Sequence, residues 1–284
     1  MSRAGTILRV DLTEGKIERE STSRYARDYI GGPGIGSKLV VDQVPPDVAG
    51  TDPRNMLTIN TGPLTGTLLG NKCDITTKSP KITNSPLATG TFGGQFASEM
   101  KFSGHDHIAI TGKAAEPVYL FVCNDRVEIR DAKHLWGLDT EEVQVRIKEE
   151  LKDPDVQIAC IGPAGENGFV GAVILHDIQN AAGQGGVGAV MGSKNLKAVA
   201  VRGTKGVKIA DPEKFMALWN RLYEEMTTGT LRAYVQTMNR EQLSTHVDEY
   251  AHMGMAQWGY GPDASFVIPE LKKEELQGEF DRKY

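Results

Sequence analysis

The sequence predicts an α+β protein in which a strand-rich region, residues 1–208, precedes a mainly helical stretch, residues 209–284. Three observations predict it. Short segments that alternate apolar and polar residues recur up to Val201, with turn residues between them. Glycine accounts for 32 of 284 residues and gathers in residues 31–36, 62–70, 90–94 and 183–192, against an average of about 7%. From residues 205–211 onward the strand patterns stop and charged residues rise, which sets the boundary.

The elements follow in chain order. Thr6-Ile-Leu-Arg-Val-Asp-Leu12 alternates, Thr13-Glu-Gly-Lys16 turns, and Ile17-Glu-Arg-Glu20 alternates again, the signal of a hairpin. Met56-Leu-Thr-Ile-Asn-Thr61 is a strand ending at Gly62-Pro63, and Ile108-Ala-Ile-Thr111 is another ending at Gly112. A second hairpin joins residues 117–123 to residues 127–130 through Asn124-Asp125. Residues 138–153 fit a helix capped by Asp139 or Thr140, with Val143, Ile147 and Leu151 on one face. Residues 156–161, 169–175 and 197–201 read as strands. Asp211-Pro212 opens a helix, with Asp as cap and Pro in the first turn. Its stripe of Phe215, Leu218, Trp219, Leu222 and Met226 is expected in the core.

Composition bounds the function. A net charge of -5 without a Lys/Arg block argues against nucleic-acid binding, which needs clustered positive charge. No apolar run approaches the length of a membrane helix and the first twelve residues lack the apolar core of a signal peptide, so a cytoplasmic location is expected. Cys73, Cys123 and Cys160 match no metal-ligand spacing. Cys123 and Cys160 sit in strand-like runs and read as core thiols, whereas Cys73 lies in a loop-like stretch. His246 and His252, six apart in the helical tail, do not share a helix face and read as packing or surface residues.

A weak internal repeat runs through the strand-rich region. Thr61-Gly-Pro63 matches Ile161-Gly-Pro163, and 18 residues separate both Gly94 from Gly112 and Gly185 from Gly203. Two halves facing across a pseudo-twofold would suit a ligand made of two similar parts; two Gly-rich loops alike by coincidence fit the spacing as well. Gly183, Gly185, Gly186 and Gly188 leave backbone N–H groups without side-chain cover, the makings of an anion-binding concavity, with a helix starting near Val187. No acidic residue follows at the spacing of a dinucleotide site, and no Gly-Lys-Ser/Thr ends the loop. Gly62-Pro-Leu-Thr-Gly-Thr67, Thr77-Lys-Ser-Pro80 and Thr91-Phe-Gly-Gly94 add hydroxyls, a lysine and bare backbone, suited to a phosphate- and amide-rich ligand or to tight turns in a β-rich domain.

These phrases, together with Glu128-Ile-Arg-Asp-Ala132, Ile161-Gly-Pro-Ala-Gly-Glu-Asn167 and Ala181-Ala-Gly-Gln-Gly-Gly-Val-Gly-Ala-Val-Met-Gly-Ser-Lys-Asn-Leu-Lys-Ala198, resemble the amino-terminal domain of the aldehyde:ferredoxin oxidoreductase family. The likeness covers residues 5–210 in register. It implies a duplicated, saddle-like α+β domain carrying a tungsten bis-pyranopterin cofactor, with molybdenum as the alternative metal, and a magnesium ion joining the pterin phosphates. It further implies oxidation of an aldehyde to a carboxylic acid, with electrons leaving through a 4Fe–4S cluster to ferredoxin. The family's pterin contacts fall at Lys72, Thr91, Gly93, Asn180, Ala181, Gly183 and Gln184, and its magnesium-ligating carbonyls at Thr91 and Ala181. Lys72, Asn180 and Gln184 stand where the aldehyde-oxidising pattern has Arg, so a bidentate phosphate fork is replaced by a point charge and two neutral amides. Members acting on acyl or aromatic substrates are the alternative, as is a pterin-binding module without catalysis.

The family's cluster motif is expected beyond Tyr284, and no cysteine follows Cys160 to ligate the cluster. The resemblance therefore implies a cluster-bearing partner chain or carboxy-terminal half, without which the chain is expected to be inactive; a homodimer follows from family habit. Apolar surface is expected on the saddle and around Trp219 and Trp258.

Overall fold

The computed structural model describes residues 3–81 and 87–228. The chain divides into two units, Met1–Phe215 and Met216–Tyr284.

The first unit holds two six-stranded sheets. The strands of the first are β1 (Thr6–Asp11), β2 (Lys16–Ser21), β3 (Leu57–Thr61), β4 (Cys73–Thr77), β5 (Ala88–Phe92) and β6 (His107–Thr111), in the order β2-β1-β6-β3-β4-β5. Helix α1 (Pro33–Gln43) lies between β2 and β3 in sequence, and α2 (Phe96–Phe102) between β5 and β6. The second sheet contains β7 (Val118–Cys123), β8 (Arg126–Asp131), β9 (Gln157–Cys160), β10 (Ile174–His176), β11 (Asn180–Ala182) and β12 (Leu196–Arg202), in the order β11-β10-β9-β12-β7-β8. Here α3 (Thr140–Leu151) and the single turn α4 (Pro163–Glu166) flank β9, and α5 (Val187–Ser193) precedes β12.

Read from opposite ends, the two orders are the same. In each half a first hairpin pairs in parallel with the last strand, which pairs antiparallel with the third, and the third, fourth and fifth follow antiparallel. The ladders fix the correspondence residue by residue. Ile59 lies opposite Ile108 and Ile75, and Ala159 lies opposite Val199 and His176. Ile75 therefore corresponds to His176, and Gly62-Pro63 to Gly162-Pro163. Thr61 N–H donates to Asp106 C=O as Ile161 N–H donates to Lys197 C=O, the same bond in both halves. The repeat is a duplication.

One apolar core lies between the sheets. Leu8, Ile59, Ile75 and Ile110 of the first half share it with Leu120, Ile161, Val199 and Val201 of the second, and with residues of α2 and α5. On the outer faces α1 packs through Ile35, Leu39 and Val40 against Ile7 and Ala109, and α3 through Val143 and Ile147 against Tyr119, Ile158 and Ala200. α3 starts as its sequence requires, with the Asp139 carboxylate accepting from the N–H groups of Glu141 and Glu142, both at 2.9 Å.

Three expectations change. Residues 169–175 are not one strand: Gly168 takes φ +68°, Ala172 N–H turns back to Phe169 C=O, and only Ile174–His176 pairs. Cys73 is not in a loop but opens β4, fully buried, with its thiol pushed up by burial. The helix opened by Asp211, α6 (Pro212–Thr228), forms with Lys214 N–H on the Asp211 carboxylate, yet none of its residues is buried. Leu218 and Met226 are exposed and the Trp219 ring packs against Tyr223, so a periodic stripe marks a face that can be buried without making it core. Cys160 is buried as expected, its thiol raised to about 12 by burial, while Cys123 is half-buried. His246, His252 and Trp258 lie outside the described residues.

Candidate functional site

The two sheets meet at their edge strands β5 and β11, and the sequence-predicted contact residues converge there. Thr91 lies opposite Asp74 in its ladder, as Ala181 lies opposite Leu175. The correspondence set by β3 and β9 makes Asp74 the counterpart of Leu175, and so Thr91 the counterpart of Ala181. The two positions expected to offer carbonyls to magnesium are thus related by the duplication. The contact across the junction is reciprocal. A Cβ on Gly90 would lie 3.1 Å from the Gln184 carbonyl oxygen, and a Cβ on Gly94 would lie 3.0 Å from Asn180 Nδ2. Gly90 corresponds to Asn180 and Gly94 to Gln184, so one contact is the image of the other about a pseudo-twofold.

Lys72 joins this junction from the loop before β4. A Cβ on Gly93 would come within 2.9 Å of Asn180 Oδ1 and 3.6 Å of Lys72 Nζ. Only glycine lets the Asn180 amide approach that backbone. Lys72, Thr91, Ala181, Gly183 and Gln184 are exposed, and Gly93 and Asn180 half-buried. The surface so formed is mostly backbone, with one cation and two amides. The Thr91 hydroxyl donates to Asp74 Oδ1 at 2.6 Å, which turns a carboxylate beside the first half's carbonyl position; the second half has Leu175 there.

Other groups read from the sequence as ligand-facing have internal partners instead. Lys78 is buried, and its ammonium donates to the carbonyls of Pro45, Pro46 and Val48. Thr65 and Thr67 close their own loop, Thr65 Oγ1 accepting from Gly62 N–H and Thr67 Oγ1 donating to Leu64 C=O. Gly186 and Gly188 are buried: Gly186 lies against Pro80, and Gly188 N–H bonds Ala172 C=O. The Ser79 hydroxyl donates to Gly185 C=O at 3.0 Å. The Thr77-Lys-Ser-Pro80 phrase therefore props the second glycine loop, and of that loop's glycines Gly183 is the exposed one.

The sequence reading missed His176. It is buried at the junction, its Nδ1 3.0 Å from Ile158 C=O and its Nε2 3.1 and 3.2 Å from the N–H groups of Gln95 and Phe96. A single histidine in a strand-like run carries no signal that separates it from a packing residue. Among the described residues, no three His, Cys, Asp or Glu side chains converge to hold a metal, and no helix is long and apolar enough to cross a membrane.

The family model for the aldehyde ferredoxin oxidoreductase N-terminal domain matches residues 7–203, the two-sheet unit almost end to end. The chain belongs to this family. Among aldehyde ferredoxin oxidoreductase relatives, the tungsten-containing enzyme of Pyrococcus abyssi is 45% identical over 78% of this chain and 37% of its own length. An aliphatic sulfonate oxidoreductase, WOR-like subunit, from Pyrococcus furiosus is 38% identical over 80% of the chain and 39% of its length. Among solved structures, a chain of the active site complex BamBC of benzoyl coenzyme A reductase, determined with 1,5-dienoyl-CoA, superposes with a TM-score of 0.76 at 43% identity, over 80% of this chain and 35% of that one. The chain thus spans less than two fifths of the relatives it matches, and with them it is an oxidoreductase-family protein of duplicated α+β fold.

Proposed function

We propose that residues 1–208 hold a tungsten bis-pyranopterin cofactor for a cytoplasmic oxidoreductase that converts an aldehyde to a carboxylic acid, with residues 209–284 beginning the helical part of the enzyme. The observation that supports this reading is the reciprocal β5–β11 junction, where Thr91 and Ala181 are counterparts about a pseudo-twofold and Lys72 and Asn180 both lie against Gly93. A ligand of two similar parts suits a site of two similar parts. The donor set fits the group: Thr91 and Ala181 are exposed residues whose carbonyls are hard oxygens of the kind magnesium takes, and Lys72 would supply a charge for phosphate. The tungsten needs no protein thiolate, because pterin sulfurs hold it; this is consistent with Cys73 and Cys160 being buried.

When bound, the cofactor supplies the two-electron oxidation chemistry. This chain's residues would hold it: Lys72 and Asn180 by side chain, Gly93 and Gly183 by leaving room for its approach, and the Thr91 and Ala181 carbonyls as ligands to magnesium. A 4Fe–4S cluster, held by a partner chain or a carboxy-terminal half, would supply the electron path to ferredoxin. A homodimer of the assembled enzyme belongs to the same reading.

A second reading, a subunit acting on an acyl or aromatic substrate, is favoured by Lys72, Asn180 and Gln184 and by the 43% identity to the benzoyl coenzyme A reductase chain. The deciding experiment is anaerobic purification from the native host, with tungsten, molybdenum and pterin analysis, identification of co-purifying chains, and assays with aldehydes and with aromatic acyl thioesters. One tungsten per two pterins and aldehyde-dependent ferredoxin reduction support the first reading. Activity confined to the thioesters supports the second. Protein without pterin would leave a module that keeps the fold and not the chemistry.

A further inference from the structure

We propose that His176 is a positioning residue that fixes the Gly93 loop of one half against Asn180 of the other, and so sets the fit of the paired-pterin cradle; the inference rests on the reading above. His176 stands opposite Asn180 in the β10–β11 ladder, so its backbone carries one side of the cradle. Its ring carries the other. Nδ1–H donates to Ile158 C=O on β9, which leaves Nε2 as an acceptor, and the N–H groups of Gln95 and Phe96 both point at it. Those two residues directly follow Gly93-Gly94. The ring occupies the space that a side chain at residue 94 would need: a Cβ there would lie 2.5 Å from Cδ2 and 2.7 Å from Nε2, and Gly94 takes φ +82°. Phe92 and Phe96 close around the ring at 5.9 Å each.

The imidazole is neutral. Burial lowers its proton affinity, and the hydrogen-bond pattern leaves no room for a proton on Nε2. Asp177 Oδ2 lies 3.2 Å from Nε2, but with two N–H donors aimed at that nitrogen the contact is not an ion pair. The counterpart of His176 in the first half is Ile75, which has no polar atom to place against α5. The clamp is one-sided, and no second imidazole repeats it at the counterpart position. Its effect on a ligand is geometric. Losing the acceptor frees two N–H groups and lets the loop after Gly93 shift relative to Asn180, where the approach is so close that a Cβ added at Gly93 would stand 2.9 Å from Asn180 Oδ1.

The test uses the full enzyme purified without oxygen as wild type, His176→Gln and His176→Leu, with pterin and magnesium per chain measured after gel filtration, and thermal melting of each protein stripped of cofactor. Gln keeps an acceptor oxygen; Leu keeps bulk and removes it. The expected result is a fall of about tenfold or more in retained pterin and magnesium for His176→Leu, recovery to within about twofold for His176→Gln, and all three stripped proteins melting cooperatively above the temperature at which retention is measured. Wild-type retention in His176→Leu would overturn the proposal. So would a stripped His176→Leu protein that is already unfolded at the temperature at which retention is measured, which is what a purely structural role gives. If His176→Leu does not accumulate, His176→Gln decides: tenfold loss from a protein that melts like wild type overturns the idea that an acceptor suffices. Wild-type enzyme without pterin would defeat the functional reading itself, and this inference with it.

Discussion

Lys101 and Asp106 are buried together in the first half, and neither can be removed alone. Burial would raise the Asp106 carboxyl, but Lys101 and the N–H groups of Ala4 and Gly5 overcome it and hold the group below the usual carboxylate range. Lys101→Met leaves that carboxylate buried without its cation, and we expect a loss of about 3–5 kcal/mol in urea unfolding. His105 and His107 give the molecule its acid limit. Burial lowers each to about 4, so between about pH 6.5 and 4 the unfolded chain binds protons that the folded chain refuses. Stability therefore falls as pH drops through that window, by on the order of 3 kcal/mol for His105. A urea midpoint that does not move from pH 7 to pH 4.5 would contradict this. The resemblance puts a pterin contact at Lys72 through the phrases around it, although the aldehyde-oxidising pattern has Arg at that position. The proposed role predicts that Lys72→Ala lowers pterin affinity by about tenfold to a hundredfold, the worth of one charge-assisted bond, read by pterin retention on dilution.

At the scale of elements, the glycines divide by task. Gly192 in α5 lies on α4, where a Cβ would stand 1.9 Å from the Gly165 carbonyl oxygen. Gly192→Ala must push the two helices apart, and we expect at least ~2 kcal/mol of destabilisation, seen as a lower melting temperature. Thr91 is the opposite case. Its proposed service to magnesium is through backbone, so Thr91→Ala should leave magnesium content within about twofold of wild type while losing the bond to Asp74. A loss of magnesium on that change would assign the role to the hydroxyl or to Asp74. The hairpins and α3 were readable in the sequence because alternation and a capping aspartate are local signals. α1 was not, since Gly31-Gly-Pro-Gly-Ile-Gly36 reads as loop, yet Pro33 starts a helix whose Gly36 lies flat on Asn60.

The whole two-sheet unit is a duplication folded around one core rather than two domains side by side. Leu8 and Ile59 share that core with Leu120 and Val199, and Lys194 of the second half donates to the carbonyls of Pro53, Asn55 and Gly112 in the first. A chain ending after residue 115 would expose the inner face of its sheet. We expect it to bind ANS and to melt without cooperativity; a sharp melt with little dye binding would show that a half folds alone.

The sequence by itself determined the fold class, most strand positions and the family, and proposed the residues of the cradle, because motif order and alternation are properties of the chain. It left the repeat balanced between duplication and coincidence, because a shared spacing of 18 residues cannot report which strands pair. Only the tertiary structure decided that Thr91 and Ala181 are counterparts, that Lys78 and most of the second loop's glycines face inward, and that His176 joins the halves. Each of these depends on which backbone lies within hydrogen-bonding reach of a side chain, and that distance is set by the packing of two sheets remote in sequence.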